Sequence, residues 1–222
     1  MARKTMDYDI RFKPAFASVF FTLSPGETIV AEPGAMTSMD TGLTMTTQFS
    51  WQGILRRLFG GESAFLNHFK NTANKPQTIV ITPSFIGDII CIDIDDRGLC
   101  LQKGGFIAAT KGVNLGIEWA GWSSFFGGEG LFRLKLTGRG KAFIGCYGGI
   151  SEQQIPGTFI VDTGHLVAFD PKTKIRIRWA GSWIGSLKSG EGLVMELTGN
   201  GKVYLQSRSM DGLIKFLRPK CR

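Results

Sequence analysis

Lys172 to Trp179 reads KTKIRIRW and alternates strictly between polar or basic and apolar residues. Successive side chains on a strand point to opposite faces. Lys174, Arg176 and Arg178 therefore share one face, and Ile175, Ile177 and Trp179 share the other. With Lys215, Arg218, Lys220 and Arg222 near the C-terminus, this stripe is the candidate surface for phosphate groups or another polyanion. A net charge of +8 points the same way, toward an anionic partner or neighbourhood. A charged strand face is also what an ordinary solvated sheet presents, so nucleic-acid binding is the alternative and not the preferred reading.

Three Gly-Glu pairs form a second group: Gly61-Glu62, Gly128-Glu129 and Gly190-Glu191. If a pseudo-threefold axis relates them, Glu62, Glu129 and Glu191 could converge on a hard cation. Bonding of each Glu to turn N–H groups of its own segment is the favoured reading. Gly138-Arg139-Gly140-Lys141 suggests a phosphate loop, but Lys135 stands where the first glycine of that motif belongs and Ala142 follows the lysine. The glycines there, and in Gly199-Asn200-Gly201-Lys202, suit hairpin turns, with φ > 0 expected at Gly201.

No catalytic constellation emerges. The chain has neither a G-x-S-x-G elbow nor an H-E-x-x-H pair. His165 lies near Asp162 and Asp170 but lacks a nucleophile. Two histidines, and four cysteines without a CxxC, imply no metal site and reduced, buried thiols in a cytoplasmic protein. No catalytic residue, metal or cofactor is expected.

The elements that would position these residues are repeated. VAEPGAMTSMD (30–40), LQKGGFIAATK (101–111) and IVDTGHLVAFD (160–170) align with Gly34, Gly105 and Gly164 in one column. WQGILRRLFGGESAFLNHF is matched by WAGWSSFFGGEGLFRLKL and WAGSWIGSLKSGEGLVMEL, and the turns LTGRGKAFI and LTGNGKVYL nearly coincide. A third such turn survives only as NTANKPQTIVI. A period of about 60 to 70 residues indicates tandem units, each too small to be secure alone. The expected fold is all-β: three small β-roll or sandwich repeats about a pseudo-threefold axis, with short helical insertions. The divisions fall at 1–88 with an N-terminal arm, 89–149, 150–210 and a basic tail at 211–222. Residues 7–12, DYDIRF, alternate like a first strand, and no apolar run is long enough to span a membrane.

All five tryptophans (Trp51, Trp119, Trp122, Trp179 and Trp183) fall in the recurring region, which favours an aromatic belt between units over a ligand cage. Copy one adds something of its own. Trp51, Ile54, Leu55, Leu58 and Phe59 fall on one helical face, with Arg56 and Arg57 opposite. Gln52–Phe59 is expected to form a short helix that closes a seam between units or subunits. Docking on an anionic membrane is the alternative.

LSPGETIVAEPGAMTSMD (23–40), LRRLFGGESAFLNHF (55–69), FIVDTGHLVAFD (159–170) and GKVYLQSRS (201–209) together resemble the altered inheritance of mitochondria protein 24 family. The resemblance spans nearly the whole chain. It implies small β rolls like those of the tryptophan RNA-binding attenuation protein, homotrimers, and an upkeep role near membranes instead of catalysis. The reading that results is a non-enzymatic scaffold or binding module, cytoplasmic or peripheral at a membrane. Its expected partners are further copies of itself and an anionic surface or a protein.

Overall fold

The computed structural model describes residues 6–49, 65–102, 104–119, 132–179 and 193–220. The chain begins with β1 (Asp7–Arg11), β2 (Ser18–Leu23), β3 (Thr28–Ala31), β4 (Met36–Met39), β5 (Leu43–Phe49), β6 (Phe65–Asn71) and β7 (Gln77–Ile81). It continues with β8 (Ile89–Ile94), β9 (Leu99–Leu101), β10 (Phe106–Thr110), β11 (Val113–Trp119), β12 (Phe132–Gly138) and β13 (Gly140–Gly145). Last come β14 (Ile150–Gln154), β15 (Gly157–Asp162), β16 (Leu166–Phe169), β17 (Lys174–Trp179), β18 (Leu193–Gly199), β19 (Lys202–Gln206) and one helix, α1 (Met210–Leu217). The fold is all-β, and every strand pairing described is antiparallel. The alternation of DYDIR does make a strand, with Tyr8 and Ile10 half-buried between exposed neighbours.

The pairings come in matched sets. β2–β7, β8–β13 and β14–β19 correspond, as do β4–β7, β10–β13 and β16–β19. So do β5–β6, β11–β12 and β17–β18, and likewise β3–β6, β9–β12 and β15–β18. Two further pairings, β3–β10 and β9–β16, join one set to the next. The resulting sheets run β1-β2-β7-β4, β5-β6-β3-β10-β13-β8, β11-β12-β9-β16-β19-β14 and β15-β18-β17. Each inner sheet thus takes half its strands from one set and half from the next. Among the described residues nothing joins the last set back to the first. β4 is bonded only to β7, and β15 only to β18.

Register corrects the alignment of the middle copy by one residue. Ile29 faces Phe69, Leu99 faces Leu136 and Phe159 faces Leu197 across the corresponding pairs. Leu101 therefore corresponds to Ala31 and not to Val30, and Gly104 corresponds to Gly34. The backbone agrees, with φ +84 at Gly34 and +79 at Gly104. The Gly104-Gly105 pair offered two matches to one glycine, and sequence could not choose between them.

Apolar side chains fill three layers between successive sheets. In the first, Phe21 and Ile79 of the outer sheet meet Ile29, Phe69, Ile107 and Phe143 of the next. The junction strands serve two layers at once. Leu99 and Leu101 point into the second layer, while Cys100 between them points into the third. A strand covered on both faces has no need of polar alternation, which is why FIAAT and LVAF are nearly continuous apolar runs. Phe143 reaches across a junction to lie edge-on to Phe21, 4.7 Å between centroids, and to Tyr8, 4.9 Å.

The turns at Gly138–Lys141 and Gly199–Lys202 are not the hairpins expected, because β12 and β13, and likewise β18 and β19, lie in different sheets; their glycines differ in what they require. Gly138 holds φ +88, and a Cβ there would collide with the Gly112 carbonyl. Gly201 lacks the positive φ expected of it. Its constraint is space, since a Cβ would lie 2.6 Å from the Asp170 Cβ. Asn71, opposite Leu43 as Gly138 is opposite Val113, takes the place of Gly138 and holds its turn by side-chain bonds. Its Nδ2 donates to the carbonyls of Leu23 (2.8 Å) and Lys75 (2.9 Å), and its Oδ1 accepts from the Ala73 N–H (2.9 Å).

Phe143→Ala is expected to cost about 3–5 kcal/mol, because the cavity opens where two sets meet and neither can collapse alone. Phe85→Ala, at an exposed position, should cost well under that. Urea unfolding monitored by tryptophan fluorescence compares the two.

Candidate binding surfaces

β17 is the edge of its sheet and carries the basic stripe as expected, with Lys174, Arg176 and Arg178 exposed and Ile175 and Ile177 half-buried against the third layer. Trp179 shares the apolar parity but lies at the strand end, 46% exposed, so it is not an interior belt residue. The stripe is partly neutralised. Arg178 Nε donates to Glu196 Oε2 at 3.0 Å, and Arg176 is in register with the same glutamate. Such an exposed pair contributes about 0–1 kcal/mol and lowers the face's appetite for phosphate. Arg218 belongs to another element, capping α1, which packs on the 3₁₀ turn Thr163–His165.

The Gly138–Lys141 segment carries the chain from β12 in one sheet to β13 in the sheet before it, and its cations are already engaged. Arg139 pairs with Asp96, and Lys141 Nζ lies 2.8 Å from Asp93. The Arg139 hydrogen bond holds the Asp96 carboxyl below its usual range. A groove of about 550 Å³ runs between β8 and β14, with Asp95, Arg97, Glu152, Lys202 and Tyr204 among its lining. Its charges are also matched internally, Arg97 to Asp95 at 2.7 Å and Lys202 to Glu152 at 2.6 Å. Burial, then the Glu152 carboxylate, pushes the Tyr204 phenol up to about 12, which leaves it a poor acid or nucleophile near neutrality.

His165 is fixed by structure and not poised for chemistry. Its Nδ1 lies 2.7 Å from the Gln206 carbonyl, and Gln206 Nε2 donates to the Gly164 carbonyl at 2.8 Å. Asp162, the neighbouring carboxylate, accepts from the Gly164 N–H at 2.8 Å. Among the described residues no three His, Cys, Asp or Glu side chains gather as a metal site would need. Glu62, Glu129 and Glu191 lie outside the described residues. So do Trp51, Ile54, Leu55, Arg56, Arg57, Leu58 and Phe59, and with them the expected helix at 52–59.

The element that sequence reading missed is α1. Ser209 caps it, its Oγ accepting from the Gly212 N–H at 3.1 Å. Met210, Leu213, Ile214 and Leu217 recur at helical spacing, but the basic residues around them drew attention to charge instead of periodicity. No residue of α1 is buried. Met210 and Leu213 are half-covered, while Ile214, Phe216 and Leu217 are exposed, and Lys220 Nζ sits 4.0 Å from the Phe216 ring centroid.

Sheets sharing strands across two junctions define an all-β protein whose chain cannot be cut at a set boundary without opening a sheet. The chain belongs to the mitochondrial biogenesis AIM24 family, whose family model matches residues 8–208. An uncharacterised protein of Streptococcus pyogenes serotype M6 is 23% identical over 223 residues, 95% of this chain and 89% of that one. A crystal structure of a protein from Streptococcus pyogenes superposes with TM-score 0.78 at 23% identity, covering 97% of this chain and 99% of that one. The fold is common to both structures.

Among the described residues Cys91 is half-buried, and Cys100 and Cys146 are buried, none of them in a disulfide. Burial pushes the Cys146 thiol from near 9 up to about 11. The native state thus prefers the neutral thiol. The stabilisation is fully present below about pH 9 and is lost as pH rises toward 11. Ellman's reagent at pH 8 should leave Cys100 and Cys146 untouched until urea unfolds the chain. The urea midpoint of wild type should fall more steeply between pH 8 and 10.5 than that of Cys146→Ala.

Proposed function

We propose that this protein is a non-enzymatic binding module of three tandem β units, held at an anionic membrane surface by α1. The units are the matched sets of pairings, each a small sandwich whose strands are shared with its neighbour. The observation that carries the membrane reading is α1 itself. An eight-residue helix is marginal alone in water, yet this one leaves Ile214, Phe216 and Leu217 outside the core. Ile214 and Leu217 share one exposed side of the helix and Phe216 stands apart from them against Lys220, so that apolar side chains interleaved with Lys215, Arg218 and Lys220 match the chemistry of a helix lying in the headgroup region. Helices long and apolar enough to cross a membrane are absent among the described residues, so the attachment proposed is peripheral.

The basic stripe of β17 supports the same surface as a weaker, longer-range attraction, and the net charge of +8 adds to it. No catalytic role is assigned: Arg97, Arg139, Lys141, Arg178 and Lys202 pair with carboxylates, and His165 bonds the Gln206 carbonyl.

Flotation with phosphatidylserine-containing vesicles tests this. Wild type should float with them, and not with neutral phosphatidylcholine vesicles. Lys215→Gln/Arg218→Gln/Lys220→Gln should weaken partitioning on the order of 100-fold, at about 1 kcal/mol for each basic residue. Ile214→Asp/Phe216→Asp should abolish it while circular dichroism stays unchanged. Flotation unaffected by the aspartates, or tight salt-dependent binding to RNA homopolymers with none to vesicles, would overturn the membrane reading.

A further inference from the structure

We infer that the groove between β8 and β14 takes an extended segment of a partner protein, added to the open edge of β8 as β1 is added to β2. This pairing rests on the three-unit reading and not on membrane docking.

Three edges correspond, since β2, β8 and β14 flank β7, β13 and β19 in the matched sets. Among the described residues only β2 has a strand on its other side, and that strand is β1. Register through the central strands equates Val19 with Ile90 and Ser151, and Phe21 with Ile92 and Gln153. β1 sets Ile10 opposite Val19 and Tyr8 opposite Phe21, and both covered side chains are 0% exposed. Ile90 and Ile92 pack on the second layer yet remain only half-buried. At β14 the same two positions hold Ser151 and Gln153, both exposed and both satisfied by water. The β14 edge is thus suited to stay open, and the β8 edge to be covered.

The site for that cover is already shaped. In the first layer Tyr8 reaches from β1 to the Phe143 ring, 4.9 Å between centroids. Register equates Phe143 with Tyr204, which lines the groove together with Ile90, Ile92 and Ile150. The groove of about 550 Å³ therefore holds in the second layer the place that β1 fills in the first. A segment seated there sets one side chain opposite Ile92, against the Tyr204 ring. A second, two positions on, lies opposite Ile90.

Charge selects the occupant. Asp93, Asp95, Glu152 and Asp170 outnumber Arg97 and Lys202 along the lining, on a chain whose net charge is +8. Just before the aromatic position the segment faces Asp93, as Asp7 faces Thr22. The Asp93 carboxylate holds Lys141 but stays 82% exposed, and a lysine or arginine opposite it forms a favourable cross-strand pair. β1 of a second copy would bring Asp7 to Asp93 instead, and like charges directly opposite are destabilising. The fitting segment is a strand reading basic, aromatic, any residue, aliphatic, and it belongs to another protein.

Fluorescence anisotropy of the labelled peptide SKYTIKS with the full chain tests the pairing. Wild type should bind it, and should bind SEYTIKS about tenfold more weakly. Asp93→Lys should invert that preference, which no loss of fold can imitate. Ile92→Lys should abolish binding. Methylating alternate backbone nitrogens of the peptide should abolish binding in one phase and spare it in the other, as a strand bonded along one edge requires. No binding of SKYTIKS to wild type, or a preference unmoved by Asp93→Lys, would overturn the proposal. Wild type that self-associates and loses that association in Ile92→Lys would make a second copy the occupant, and would overturn it equally. Vesicle flotation of the Ile92→Lys chain reads the membrane proposal separately, and should persist.

Discussion

Everything in this molecule depends on the backbone ladder between β3 and β10 and its counterpart between β9 and β16. A short ladder of this kind is weak in itself, since each hydrogen bond nets about 1 kcal/mol against solvent. Its importance is geometric. By fixing register, it decides which side chain of each junction strand enters the layer before and which enters the layer after. Cys100 and its neighbours Leu99 and Leu101 part company on this rule alone. A one-residue slip would exchange them and send every junction side chain into the wrong layer.

Much of this organisation was legible in the sequence. The recurring glycine turns and the period of the alternation gave antiparallel strands, and the DYDIR, FIAAT, LVAF and KIRIRW runs all became strands. The basic stripe emerged on one face as parity required. What sequence could not give was the sharing of sheets between sets, because a pairing partner nearly 80 positions distant leaves no local mark. Nor could it settle the Gly104-Gly105 ambiguity, which only hydrogen-bond register resolves. Gly201 was misjudged for a related reason. A glycine demanded by a close neighbour looks the same in sequence as one demanded by a left-handed backbone.

Charge proved harder to read than pattern. Arg139, Lys141, Arg97 and Lys202 contribute to the count of basic residues, yet each faces a carboxylate brought near by folding. The formal charge of the chain therefore overstates the cationic surface it offers. The helix α1 shows the opposite error. Its lysines and arginines dominate the sequence of the tail and mask the apolar stripe among them, Met210, Leu213, Ile214 and Leu217.

The division of each inner sheet between two sets also bears on how the chain is made. When β3 leaves the ribosome its partner β10 lies more than 70 residues behind, so the first three-strand half-sheet must wait with one edge unpaired. Exposed edges of this sort invite pairing with the wrong chain, and contacts of such sequence separation form late. The same sharing that binds the sets into one body thus removes the option of folding them one at a time. Synthesis of this protein exposes, for the length of one whole set, a surface that the finished molecule keeps buried.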